Sequence, residues 1–282
     1  MSSRSKKNQQ FRFLPEIIIA LLIALTGYST SKAQDLDVPY VPTPEPVVDK
    51  MLEMGHVEKG DYVIDLGSGD GRIVIAAAKR GATGHGIDLD PQRIREAREN
   101  ARRQEVDDRV VFLQQNIFDT DISQASVVTM YLLPSVNIKL RSTLLKTLRP
   151  GTRIVSHSFD MDEWEPDATT TVNRGVGRNH SIYMWIIPAN VQGKWQWKVG
   201  ENTYAMNIDQ HFQKINIDLS NSGHTLSTNK KVLNGPRISF TTDNNGMHYV
   251  FSGQIDGDTI QGTVQIHNGG DDRVEKWIAK KK

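Results

Sequence analysis

The segment Tyr62 to Arg72, YVIDLGSGDGR, constrains the fold of this chain more than any other. An apolar run, an aspartate and three glycines at alternate positions describe a buried strand that ends in a tight turn and opens a helix, a geometry that brings main chain close to a ligand. A second acid, Asp88, closes the strand expected in GHGIDLD (residues 84–90). The glycine spacing narrows the ligand. Gly67, Gly69 and Gly71 are followed by Arg72, where a dinucleotide fingerprint requires its last glycine, and no Gly-Lys-Ser/Thr follows to cradle a triphosphate. A carboxylate at the end of a buried strand is costly without a partner, so Asp65 and Asp88 are candidate ligand contacts, whereas Asp70 also suits the turn itself.

Strands and helices alternate around this loop. Before it, Thr43 is the expected N-cap of a helix with Pro44 at its first position, Val47, Val48, Met51 and Leu52 on its apolar face, and Gly55 at its end. After it come a helix over RIVIAAAKRG, a strand ending at Asp88, and a helix capped by Asp90-Pro91 with Ile94, Ala97 and Ala101 on one side. Strands are expected over Arg109–Leu113, Ala125–Leu132 and Arg153–Ser158, with a helix from Ser135 to Leu148 between the last two. Thr170–Val172 and Ser181–Ile187 would complete the sheet at its edge. The pattern predicts an α/β fold with a doubly wound, mostly parallel, Rossmann-like sheet.

Beyond Pro188 the texture changes to alternating apolar positions separated by turns such as Asn221-Ser222-Gly223, Asn245-Gly246 and Asp256-Gly257. This predicts a small antiparallel β-barrel or sandwich over residues 190–282, with a hairpin in FSGQIDGDTIQGTVQI, with Trp195, Trp197 and Trp277 in its core, and with Lys280–Lys282 as a solvated tail. At the other end, a basic segment, an apolar run from Ile17 to Leu25 and small residues Ser31 and Ala33 have the shape of a bacterial secretory signal cut before Gln34. The chain is therefore expected to divide into a signal peptide (1–33), a cofactor-binding domain (34–189) and the all-β domain (190–282). Export would place it in the periplasm. An unused cut would leave it membrane-anchored on the periplasmic side, and an unused signal would leave it cytoplasmic. Without residues 1–33 the chain carries 29 basic against 32 acidic groups, which argues against a nucleic-acid partner. The chain has no cysteine, which excludes disulfides and thiolate metal sites, and the scattered His85, His157 and His180 are not spaced as a metal set and suit structural roles.

The glycine loop, its flanking acids and the Leu148-Arg149-Pro150-Gly151 turn resemble the class I S-adenosylmethionine-dependent methyltransferases. A closer likeness covers residues 38–188. PYVPT (39–43), LGSGDGRIVIAAAKRGA, GIDLDP and the Tyr131-Leu132-Leu133-Pro134 segment resemble the protein-lysine methyltransferases related to those acting on the ATP-synthase c subunit and adenine nucleotide translocase. The resemblance implies S-adenosylmethionine as cofactor, a protein acceptor lysine, and no metal. It assigns cofactor contacts to Thr43, Asp65, Gly67, Ser68, Gly69, Asp70, Gly71, to Asp88 through the ribose hydroxyls, and to Asn116 near the adenine amino group. PYVPT becomes a loop folded over cofactor and acceptor, with Tyr40 and Tyr131 as the candidate catalytic residues. A reading from another class stands beside it: an exported binding protein whose β-domain holds a ligand and whose cofactor pocket is vestigial.

Overall fold

The computed structural model describes residues 40–175, 179–270 and 272–282. The expected signal segment and the start of the extended stretch before Tyr40 lie outside the described residues. Helix α1 (Glu45–Met54) precedes β1 (Tyr62–Leu66), α2 (Arg72–Lys79), β2 (Thr83–Asp88), α3 (Pro91–Arg103), β3 (Val110–Gln114), β4 (Val127–Met130), α4 (Pro134–Thr147), β5 (Arg153–His157), β6 (Ala168–Asn173) and β7 (Asn179–Ile186). The first sheet has the order β3-β2-β1-β4-β5-β7-β6. Its first five strands are parallel, and β7 runs antiparallel to β5 and β6. The strand order reverses between β1 and β4, where an open α/β sheet forms its ligand crevice.

The alternation of side chains along each strand decides which layer covers which face. Val63, Val127 and Val155 pack with Val47, Val48, Met51, Leu52, Ile73 and Ala77 of α1 and α2. Their neighbours Ile64, Val128 and Ile154 face the other way, onto Leu140 and Leu144 of α4 and the indoles of Trp164 and Trp185. The regular alternation of strand and helix stops at β5, because residues 158–167 form an irregular segment rather than a helix. Asn137 of α4 holds that segment by donating to the carbonyls of Phe159 and Asp160, each at 3.2 Å.

Thr43 does not cap α1. Pro44 occupies the N-cap position with no side-chain hydrogen bond, and the Thr43 hydroxyl turns instead to Nδ1 of His157, 3.1 Å away. The cap expected at Asp90 is present, its carboxylate accepting from the Gln92 N–H at 2.7 Å.

The second sheet runs through β8 (Gly193–Val199), β9 (Asn202–His211), β10 (Lys214–Asn221), β11 (His224–Leu226), β12 (Thr228–Asn234), β13 (Arg237–Asn244), β14 (Met247–Asp256), β15 (Thr259–His267) and β16 (Arg273–Lys281). All pairings are antiparallel and link sequence neighbours, except that β16 returns to pair with β8. The sheet curls toward closure: the Thr228 hydroxyl on β12 donates to the Ile217 carbonyl on β10 at 2.9 Å. Asn245-Gly246 turns the β13–β14 hairpin with φ of 52° and 79°, the left-handed pair such a turn requires. Trp195, Trp197, Tyr204, Phe240, Phe251 and Trp277 fill the interior. The terminal lysines are not a solvated tail. Lys280 and Lys281 belong to β16, whose main chain pairs with Gln196 and Trp195, and the Lys281 ammonium lies 5.6 Å from the centre of the Trp195 ring.

The second sheet packs on the first through the irregular segment after β5. Trp164 Nε1 donates to Gln213 Oε1 at 2.9 Å, and its indole stacks on Phe212. Both sheets lie within one compact unit, Val38–Lys282.

Candidate functional site

The glycine loop sits where β1 ends at the reversal of strand order. Gly67, Gly69 and Gly71 have φ of 78°, 52° and 82°, left-handed conformations that carry a penalty for any residue with a Cβ. Space imposes the same choice. A Cβ on Gly69 would lie 2.5 Å from Cε2 of Tyr40, and a Cβ on Gly86 in β2 would lie 2.6 Å from Oγ of Ser68, so the loop lies directly on β2. Ser68 Oγ is buried with no hydrogen-bond partner. A buried hydroxyl left open inside a glycine cradle is a contact waiting for a ligand.

Asp65 and Thr129 are paired across β1 and β4, and the Thr129 hydroxyl donates to Asp65 Oδ1 at 2.7 Å. The Asp65 carboxyl is 2% exposed. Burial pushes its pKa up to about 7, opposed by the Thr129 hydrogen bond and reinforced by the nearby charges of Asp88 and Asp70. Such a group gains most from a cationic ligand that restores its charge. Asp88 closes β2, and its two oxygens accept from the N–H groups of Gly69 and Asp90 at 2.8 and 2.9 Å. These bonds fix the carboxylate against the loop, and each oxygen retains a further lone pair for a hydroxyl.

Asp70 is tied into the structure of the loop itself. Its carboxylate takes a two-pronged grip from Arg72, Nε to Oδ1 at 2.9 Å and Nη2 to Oδ2 at 2.6 Å. Burial would raise its pKa, but the Arg72 guanidinium holds it below the usual carboxylate range. The same guanidinium donates to the main-chain oxygen of Thr43 at 2.8 Å, so Asp70 anchors the loop that precedes α1. Tyr40 begins that loop, its ring resting on Gly69 and 4.5 Å below the Arg93 guanidinium of α3. Asn116, after β3, uses its Oδ1 to accept from its own turn at Phe118 N, 3.0 Å away, which leaves the second lone pair of that oxygen and the Nδ2 donor for a ligand.

Tyr131 leaves β4 on the same face as Asp65 and Thr129, and its ring packs 3.9 Å from that of His157 at the end of β5. His157 is fully buried, and its Nε2 lies 2.9 Å from Nδ1 of His180 on β7. The spacing of these histidines suggests structural roles, and nothing in the sequence marks Thr129, Arg72 or Arg93 as part of a site. Thr129 and His157 have no local motif. Only strand pairing brings them to the loop.

The residues fit S-adenosylmethionine: a glycine cradle, an open Ser68 hydroxyl, a buried carboxyl suited to a cation and a second carboxylate beside it suited to a vicinal diol. Residues 65–168 match the ANTKMT methyltransferase domain family. A protein-lysine N-methyltransferase from Saccharolobus islandicus is 47% identical over 152 residues, covering 53% of this chain and 94% of that protein. The human lysine N-methyltransferase named for the ATP-synthase c subunit is 31% identical over 153 residues, 54% of this chain and 65% of the relative. Among solved structures, a Salinibacter ruber protein described as an RNA methyltransferase, in complex with S-adenosyl-L-homocysteine, is 52% identical, with a TM-score of 0.51 over 54% of this chain and 96% of that one. Fold and site together define a class I S-adenosylmethionine-dependent methyltransferase. Within that class the chain belongs to the ANTKMT methyltransferase family. These relatives cover about half of the chain.

Proposed function

We propose that this methyltransferase modifies the side-chain amine of lysine in a protein. The observation that carries the acceptor class is the 47% identity to a protein-lysine N-methyltransferase across 94% of that relative. The Salinibacter relative carries an RNA description, but a net negative charge outside the first 33 residues favours a cationic side chain over a polyanion. Asp65 would meet the cationic amino-acid end of the cofactor, the main chain of Gly67–Gly71 and Ser68 Oγ would line it, Asp88 would accept from the ribose hydroxyls, and Asn116 would lie at the adenine. When bound, the cofactor supplies an electrophilic methyl group on a sulfonium. The protein must present the acceptor nitrogen in line and free of its proton, which is work for the residues at the ends of β4 and β5 and the loop before α1. Tyr40 and Tyr131 would flank that nitrogen.

The all-β unit supports this reading rather than a ligand-carrying one, because its interior is occupied by its own aromatic side chains. The N-terminal sequence supports a location in the periplasm or on the periplasmic face of a membrane. The test uses donor labelled in its methyl group, the purified chain and a cell extract. Label that survives ribonuclease and is lost on proteolysis supports the protein acceptor; the reverse pattern assigns RNA, and label in neither refutes both.

A further inference from the structure

A continuous string of hydrogen-bonding groups runs from the loop before α1 to the edge of the first sheet. The Thr43 hydroxyl meets His157 Nδ1 at 3.1 Å, and His157 Nε2 meets His180 Nδ1 at 2.9 Å. Thr43 and His157 are buried, and His180 is partly exposed. The side chains of Asp65, Thr129, Tyr131, His157 and His180 share one face of the sheet, so the string begins beside the candidate acceptor site and ends near solvent. The ring of Tyr131 holds His157 from the β4 side, and the two imidazoles pack with centroids 5.0 Å apart. The titratable groups facing His157 are Tyr131 from the end of β4 and His180 from β7; Thr43 faces it from the loop before α1. Among the described residues no carboxylate bonds to either imidazole.

We propose that Thr43, His157 and His180 form a proton exit that strips the acceptor ammonium before methyl transfer. The inference rests on the amine acceptor proposed above. The acceptor N–H proton passes to the Thr43 oxygen, the Thr43 hydroxyl proton to His157 Nδ1, the His157 Nε2 proton to His180 Nδ1, and the His180 Nε2 proton to solvent. One proton enters, one leaves, and both histidines finish neutral with tautomers exchanged. The nitrogen keeps the lone pair that attack requires. Burial, and then the neighbouring His180, lower the pKa of His157 to about 4. The ring therefore passes a proton on instead of storing one. A histidine held by a carboxylate would instead trap the charge.

Because His157 is fully buried, the variants are placed at the two ends of the string: His180→Gln, Thr43→Val and Thr43→Ser. Each full-length protein is assayed with labelled S-adenosylmethionine and poly-L-lysine across pH 6.5–10, and S-adenosylhomocysteine binding is measured by calorimetry. His180→Gln should bind the homocysteine product as the parent does, and both His180→Gln and Thr43→Val should lose about 100-fold in turnover near neutrality. The deficit should shrink by about tenfold per pH unit as free amine becomes available in solution. Thr43→Ser, which keeps the hydroxyl, should retain parental turnover. A deficit equal at every pH, or none, overturns the proton exit while leaving the methyltransferase reading intact. Failure of the parent to modify any lysine refutes the amine reading, and the proton exit with it.

Discussion

Lowering the pH should weaken donor binding through a single buried group. Asp65 is held mostly neutral below about pH 7 by burial, and among the described residues only the Thr129 hydroxyl offsets the loss of water around it. If the cationic end of S-adenosylmethionine meets this carboxyl, it must ionise on binding. At pH 6 about a tenth of the free protein carries the ionised form, so Kd should rise about tenfold relative to its plateau above pH 8. The sign for stability runs opposite. The folded pKa lies above the ordinary value of 3.8. Asp65 therefore supports the ligand-free fold fully below about pH 4 and loses that support as pH rises through 7, a contribution of order 4 kcal/mol. Calorimetric titration in buffers of contrasting ionisation enthalpy between pH 5.5 and 8.5 should show nearly one proton released per donor bound at pH 6, and almost none at pH 8.5. Asp65→Asn should abolish the release, flatten the pH dependence and weaken binding at pH 8. A parent Kd that is flat across this range with no proton release would refute the assignment of Asp65 to a cationic part of the ligand.

Gly69→Ala places a Cβ in a left-handed residue and against the Tyr40 ring, which together should cost about 1–2 kcal/mol of stability and weaken donor binding at least tenfold, read by thermal unfolding and calorimetry. Arg72→Met removes both the clamp on Asp70 and the donor to the Thr43 carbonyl, and should speed dissociation of S-adenosylhomocysteine about tenfold in stopped-flow measurements while the fold persists. Gln213→Ala leaves the buried Trp164 N–H without its partner at the contact between the two sheets. It should cost about 1–3 kcal/mol and lower the unfolding midpoint by roughly 2–6 °C, with donor affinity unchanged.

The elements that could be placed from sequence are those whose signals are local. YVIDLGSGDGR fixes a strand, a left-handed turn and a helix within eleven consecutive residues, and Asp90-Pro91 or Asn245-Gly246 fix a cap and a hairpin within two. What stayed hidden depends on partners distant in the chain. The Thr43 hydroxyl has a helix cap nearby and a histidine 114 positions away, and the distant partner wins because β5 delivers His157 to the loop. Asp70 reads as a turn residue, yet its neighbour Arg72 turns it into the anchor of the loop that begins with Tyr40. Lys280 and Lys281 look like a polar terminus, since nothing adjacent shows that β16 must return to pair with β8.

In the proposed function, a pocket built on Asp65, the glycine loop and Asp88 delivers a methyl group to lysine nitrogen. The most direct test is mass spectrometry of the acceptor labelled by the full-length protein with methyl-labelled donor, run beside Asp88→Ala. Label is expected on a lysine Nζ with the parent protein and is expected to be absent with Asp88→Ala, whose loop has lost the carboxylate that binds the Gly69 N–H. Label on a nucleobase or on another side chain, or undiminished labelling by Asp88→Ala, would contradict it.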